Sequence, residues 1–241
     1  MHYKTKGIVL HQVKYAESSI IVKIYTELFG LKSFIFNGVR KKKSSLKANI
    51  FQPLSLVELA LNHKENASIQ HVKEIQCVHQ FISIPYDVKK SSMVLFLNEL
   101  LYKTIREEEA NQQLFDFLHE SLLVLDEAKE NYSNFHLHFA LHLTSYLGFE
   151  PTDNYSEENC YFHLSEGLFK NRFLDDTYHI KKPVSEMIFK LASKDFDSGI
   201  PLELSHAMRQ ELLKTLIRYY QIHQPSLKEI KAHQVLEEVF G

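Results

Sequence analysis

The side chains best suited to chemistry in this chain are cations on one short stretch. Arg40-Lys41-Lys42-Lys43-Ser44-Ser45-Leu46-Lys47 follows directly on Asn37-Gly38. Five positive charges and two hydroxyls on one loop match a phosphate backbone, which needs charge to release its counterions and short donors to hold its oxygens. A solvated basic loop with no ligand is the plain alternative. The surroundings favour a ligand: Lys4, Lys6, Lys14, Lys23 and Lys32 fall on the adjoining strands, and Tyr3, Tyr15, Phe34 and Phe36 offer ring faces, although some of these must fill a core. The expected nucleic-acid contacts are Lys6, Lys14, Lys32, Arg40, Lys41, Lys42, Lys43 and Lys47.

Other candidate groups are weaker. His138 and His142 stand four apart on one helix face with His136 nearby, but Phe139 follows His138 where a metalloprotease helix carries Glu. With no third or fourth ligand in sight, these histidines are read as polar residues on the solvent side of helix 133–147, and no metal or other cofactor is expected. Glu107-Glu108-Glu109, Asp126-Glu127 and Glu157-Glu158 are read as solvated helix ends, since acid–base work needs a partly buried pair with separated pKa values. Phosphate loops, dinucleotide fingerprints and Gly-x-Ser-x-Gly elbows are absent, so no catalytic residue is expected. Near the end of the chain Lys214 and Arg218 share a helix face. Helix solubility, with Glu211 pairing Lys214, is the favoured reading there, and a groove for an acidic tail or for DNA is the functional one.

The elements that must position these groups change character along the chain. Residues 7–10, 20–25, 31–36, 54–61 and 67–75 are short β-branched and aromatic runs separated by Phe29-Gly30, Asn37-Gly38, Gln52-Pro53 and the turn at 63–66. Five such strands predict a closed or nearly closed barrel. Beyond Pro85 the period becomes helical, with stripes through Met93–Ile105, Leu114–Leu125 and Phe135–Leu147, then helices at 184–194, 204–222 and 227–239. Residues 149–182 lose periodicity and read as loop or short hairpin. The expected fold is α+β in two domains, a barrel over 1–81 and a helical domain over 82–241 with an irregular segment at 149–182.

Composition agrees. The 241 residues are 44% hydrophobic and 24% charged, which describes a folded protein and excludes collagen-like and low-complexity classes. No apolar run approaches the ~18 residues of a membrane span, the start lacks a signal-peptide core, and two cysteines make no disulfide scaffold. A cytoplasmic location is expected. The net charge of −2 argues against a nucleic-acid partner only as an average. Residues 1–80 carry 12 Lys+Arg against 5 Asp+Glu, a net of +7, and the remainder carries −9. Such a split marks one part of the chain as the anion-binding surface.

The series Lys4-Thr5-Lys6-Gly7-Ile8-Val9-Leu10, Tyr15-Ala16-Glu17-Ser18-Ser19-Ile20-Ile21-Val22, Tyr25-Thr26-Glu27-Leu28-Phe29-Gly30, Gly38-Val39-Arg40-Lys41-Lys42-Lys43-Ser44 and Phe51-Gln52-Pro53-Leu54 resembles the RecO family of bacterial recombination mediators. The helical part is similar by layout, including Leu147-Gly148-Phe149-Glu150-Pro151 and Leu216-Ile217-Arg218-Tyr219-Tyr220. The resemblance implies an N-terminal OB-fold and a helical C-terminal domain without enzymatic turnover. It implies binding of single- and double-stranded DNA, strand annealing, and work with RecR to load RecA onto DNA coated by single-strand DNA-binding protein. The acidic C-terminal tail of that coating protein would meet the helical domain, and a nucleoid-associated location follows. Many relatives carry a four-cysteine zinc ribbon at the position of 149–182, where this chain has only Cys160. Two rival readings stand beside this one: an adaptor whose acidic helical domain is the working part, and a metal-dependent nuclease. Against the nuclease, the basic segment disperses its only carboxylates, Glu17, Glu27, Glu58, Glu65 and Glu74, among different strands.

Overall fold

A computed structural model describes residues 2–39, 48–64, 67–193 and 202–240. The chain forms two compact units, one holding Met1–Tyr86 with Ile105–Asp126 and the other Asp87–Thr104 with Glu127–Gly241. The units are therefore not two consecutive stretches of chain, because a helix from beyond residue 104 packs with the strands.

In the first unit β1 (His2–Tyr15), β2 (Ser19–Thr26), β3 (Gly30–Phe36), β4 (Leu56–Asn62) and β5 (Ile69–His79) close into a barrel in the order β1-β2-β3-β5-β4. Neighbours run antiparallel except β3 and β5, which are parallel. This is the OB arrangement. Side chains alternate across a strand, and the inward set is apolar: Val9, Ile20, Val22, Ile24, Phe34, Phe36, Val57, Leu59 and Leu61 form the core, joined by Phe51. Phe34 and Phe36 thus fill the barrel and offer nothing to bases. Tyr3 packs edge-on to Phe29 at 5.3 Å, which leaves Tyr15 as the exposed ring among the four aromatics expected to stack.

A bulge between Val9 and His11 resets the alternation in β1. Val9 pairs with the inward Ile24. Past the bulge Gln12 and Lys14 pair with the inward Val22 and Ile20, while His11, Val13 and Tyr15 turn outward. β1 pairs with β4 from His2 to Ile8, so the residues beyond run on with β2 as a two-stranded hairpin.

Ile8 and Tyr25 oppose each other on the outward side and are nevertheless fully buried. The reason is α2 (Gln112–Glu127), whose buried face comprises Leu114, Phe115, Leu118, Leu122 and Leu125, with Phe115 stacked on Tyr25 at 6.3 Å between centroids. Each large apolar side chain so covered stabilises by about 1.5–3 kcal/mol, which is why this helix joins the strands.

The second unit contains α1 (Val88–Thr104), α3 (Phe135–Tyr146), α4 (Val184–Ala192), α5 (His206–His223) and α6 (His233–Val239). α3 is buried on nearly every side: His136 and His138 are enclosed together with Leu137, Phe139, Ala140 and Leu141. The expected solvent side of this helix is narrower than the sequence suggests: Ser145 is exposed and His142 half-buried, but His136 and His138 face the interior. α6 also starts later than the expected 227, since Leu227 and Ile230 are buried from non-helical backbone.

The segment 149–182, read as loop or short hairpin, holds a short hairpin extended by one strand. β6 (Tyr161–His163), β7 (Leu168–Lys170) and β8 (His179–Ile180) form an antiparallel sheet in the order β7-β6-β8. Its packing is aromatic: Phe162 lies 5.0 Å from Phe169 and 5.4 Å from Tyr219, and Tyr155 stacks on Phe189 at 4.7 Å. Among the described residues no helix is long and apolar enough to cross a membrane.

Candidate nucleic-acid interface

The outer side of the barrel that α2 leaves open is built by register. Across β1, β2, β3 and β5 one row runs His11, Lys23, Ser33, Ile69, and the next runs Val13, Ile21, Ile35, His71. Tyr15 continues the outward series at the hairpin tip. Val13, Tyr15 and Ile69 are 46%, 50% and 36% exposed, which makes this an open apolar surface with Lys23 near its middle. Burial, and then the charge of Lys23, hold the His11 imidazole below its ordinary pKa. This row sets the His11 imidazole, the Lys23 amine and the Ser33 hydroxyl side by side. Flat rings, aliphatic side chains and a few donors are what unstacked bases with intervening phosphates require.

The expected cations do not share that face. Lys14 is exposed on the opposite side of the β1–β2 hairpin, paired across the strands with Ile20. Lys6 points outward between β1 and β4, opposite Glu58. Glu58 is already engaged by Lys4 at 2.8 Å and Gln76 at 2.7 Å, and these contacts, with Lys6 contributing at longer range, hold its carboxyl below the usual range. Lys32 has the inward parity of Phe34 and Phe36 but sits at the mouth of the barrel, its side chain 18% exposed and its Nζ 3.3 Å from Glu108 Oε2. Arg40, Lys41, Lys42, Lys43 and Lys47 lie outside the described residues.

The root of that basic stretch can be placed. Ser19 Oγ donates to Asn37 Oδ1 at 2.9 Å, so the chain enters the stretch beside the β1–β2 turn. Lys14 and Tyr15 stand at this end of the barrel. Lys6 and Lys32 stand at the other, where the Glu27 amide donates to the Lys6 carbonyl. The eight residues of β2 separate the two ends by roughly 23–27 Å, with Lys23 between them.

Sequence reasoning named Lys23 without placing it and did not single out His11, Val13, Ile21, Ile35, Ile69 or His71. The bulge hides their common face, since a fixed alternation carried through Val9 would send His11, Val13 and Tyr15 inward.

In the helical unit Lys214 and Arg218 are both engaged. Lys214 Nζ is 3.7 Å from Glu237 Oε1 of α6, and Arg218 donates to the carbonyl of Thr177. The expected partner Glu211 is replaced by Glu237 from a different helix. His142 and His138 approach at 2.9 Å through their Nε2 atoms, yet among the described residues no group of three His, Cys, Asp or Glu side chains could hold a metal ion. His136 is fully buried, and burial followed by the charge of Arg209 brings its imidazole down to about 3.

Of the carboxylates read as solvated, Glu107, Glu108, Glu109, Glu127, Glu157 and Glu158 are exposed, and Asp126 alone departs from expectation. Asp126 is not a solvated helix end: its side chain is buried and accepts the amides of Ile82, Ser83 and Ile84. Glu107, Glu108 and Glu109 lie against the mouth of the barrel, where the Leu31 amide donates to the Glu107 carbonyl at 3.0 Å.

Comparison with known proteins places both parts of the chain in one family. Residues 1–81 match the family model described as Recombination protein O N terminal, and residues 85–228 match Recombination protein O C terminal. The chain is 40% identical to the DNA repair protein RecO of Flavobacterium psychrophilum and 36% identical to that of Bacteroides fragilis, with the whole of each chain covered. Similarity extends at 27% identity to the DNA repair protein RecO of Porphyromonas gingivalis, over 98% of both chains.

Proposed function

The chain belongs to the RecO family of DNA repair proteins, and from that premise we propose that it is a recombination mediator whose barrel binds single- and double-stranded DNA. In this reading it anneals complementary strands and, with RecR, helps load RecA onto DNA coated by single-strand DNA-binding protein, meeting the acidic tail of the coating protein through its helical unit. It makes and breaks no covalent bond. Annealing needs only that two phosphate backbones be neutralised together while their bases stay accessible.

The observation that carries the proposal is the open outer face of β1, β2, β3 and β5 on the +7 part of the chain, with Lys23 and Tyr15 on the same side and the basic stretch rooted beside it. Phosphates would be held by Lys23 and by the cations of 40–47, and bases would lie on Tyr15, Val13 and Ile69. Because none of these groups reads base edges by paired donors and acceptors, binding would be tolerant of sequence.

The test is anisotropy with a labelled single-stranded oligonucleotide on Lys23→Gln and Tyr15→Ala. Loss of a stacking ring is expected to weaken binding about five- to a hundred-fold, from roughly 1–3 kcal/mol per base, and loss of Lys23 to weaken it with a shallower salt dependence. Wild-type affinity in both variants would remove this face from the DNA path.

A further inference from the structure

The mouth of the barrel next to Lys32 is occupied by the chain itself. Gly30 holds φ +62°, and a Cβ placed there would lie 2.2 Å from the carbonyl oxygen of Glu109 and 2.9 Å from that of Glu107. Only a glycine lets the backbone of the acidic segment come this close. The Leu31 amide then donates to Glu107, and Lys32 pairs with Glu108, whose carboxylate is otherwise largely in solvent. Gln112 completes the contact by donating to Glu27 at 3.4 Å. The backbone of a segment of three exposed glutamates is thus held against one end of the barrel, with the Glu108 carboxylate on Lys32, in a unit whose first 80 residues carry +7.

We propose that Glu107-Glu108-Glu109 is a tethered competitor for nucleic acid, an autoinhibitory contact that covers Lys32 until a phosphate backbone displaces Glu108. The inference rests on the DNA-binding reading above and adds to it a further phosphate contact, Lys32, at the end of the barrel away from the basic stretch, that is gated in cis. Physical scale makes the gate light: an exposed Lys–Glu pair is a weak interaction, further weakened by salt. A polyanion with many phosphates can outcompete it, whereas an isolated anion gains little by doing so.

The experiment is a double-mutant cycle on the full chain, with a labelled single-stranded oligonucleotide bound at low salt to wild type, Glu108→Gln, Lys32→Met and the double variant. Glu108→Gln is expected to bind about two- to five-fold more tightly, the range an exposed ion pair allows. That gain is expected to vanish when Lys32 is Met, and to shrink as salt is raised. A gain that persists in the Lys32→Met background would be a general effect of net charge and would overturn the proposal, as would no gain at all. If neither wild type nor Glu108→Gln binds, the DNA-binding reading itself fails and the gate fails with it.

Discussion

Asp126 Oδ1 accepts the backbone amide of Ser83 at 2.8 Å, across more than forty residues of chain. The same carboxylate takes the amides of Ile82 and Ile84, each at 2.9 Å, and lies 3.5 Å from His79 Nε2. A buried acid near the end of α2 therefore clamps the chain as it leaves β5. Burial alone would raise its pKa, but the amides of Ile84, Ile82 and Ser83, helped by His79, bring it down to about 2.

Replacing Asp126 by Asn puts an amide NH2 where an oxygen now accepts a backbone N–H. The expected cost is about 1–3 kcal/mol, read from chemical denaturation. The pH dependence has a definite sign. The folded carboxyl titrates near 2 and an unfolded one near 3.9, so the stabilisation is complete above the unfolded value and is lost as pH falls through the folded one. Its size is about 2.6 kcal/mol, and Asp126→Asn should flatten this part of the acid limb.

His136 gives an acid sensitivity at a milder pH. Among the described residues its Nδ1 is buried without a hydrogen-bond partner, between the rings of Phe96 and Phe240 at 6.2 and 5.8 Å. The folded state resists protonation down to about 3, so stability is full above the unfolded value near 6.5 and falls by about 1.4 kcal/mol per pH unit below it. His136→Phe should remove this slope at little cost near neutrality, measured as melting temperature against pH. An unchanged slope would place the acid sensitivity elsewhere.

Glu99 ties α6 to α1. Its Oε2 accepts the amides of Lys231 and Ala232 at 2.9 and 2.7 Å while Oε1 takes Lys103 at 2.6 Å. Glu99→Ala leaves those two amides at the start of α6 without their acceptor, and a loss of about 1 kcal/mol is expected. Hydrogen exchange should speed up in residues 231–239 while α5 keeps its protection.

Gly30→Ala tests the backbone contact at the barrel mouth without altering charge. The added Cβ meets a carbonyl oxygen at 2.2 Å from a φ of +62°, so both sterics and backbone strain oppose it. A loss above about 2 kcal/mol is expected, and a neutral result would mean that the 107–109 segment does not lie against Gly30 in solution.

Much of the fold was legible because the relevant signals are local. Ile20, Val22 and Ile24 alternate with outward residues, and the Met93–Leu101 stripe is the buried face of α1. What escaped depends on partners distant in sequence. The bulge after Val9 is visible only when β2 is laid alongside, so the side on which Lys14 and Tyr15 fall could not be read from β1 alone. The attachment of α2 to the strands depends on Phe115 meeting Tyr25, ninety residues earlier. The polar type of the α3 histidines points to water, yet His136 and His138 are enclosed among Phe135, Leu137, Phe139 and Leu141 and only His142 is half-exposed. The basic composition of the barrel segment was plain, but not the division of its lysines between two ends and two faces.

The most direct test of DNA binding by the basic barrel is a salt titration of single-stranded oligonucleotide affinity for wild type and for the variant with Arg40, Lys41, Lys42 and Lys43 all replaced by Ala. Wild type is expected to show log affinity falling linearly with log salt, with a slope near −0.7 for each phosphate neutralised. The variant is expected to bind more weakly and with a shallower slope. Absence of binding by wild type, or the same affinity and slope in both proteins, would contradict it.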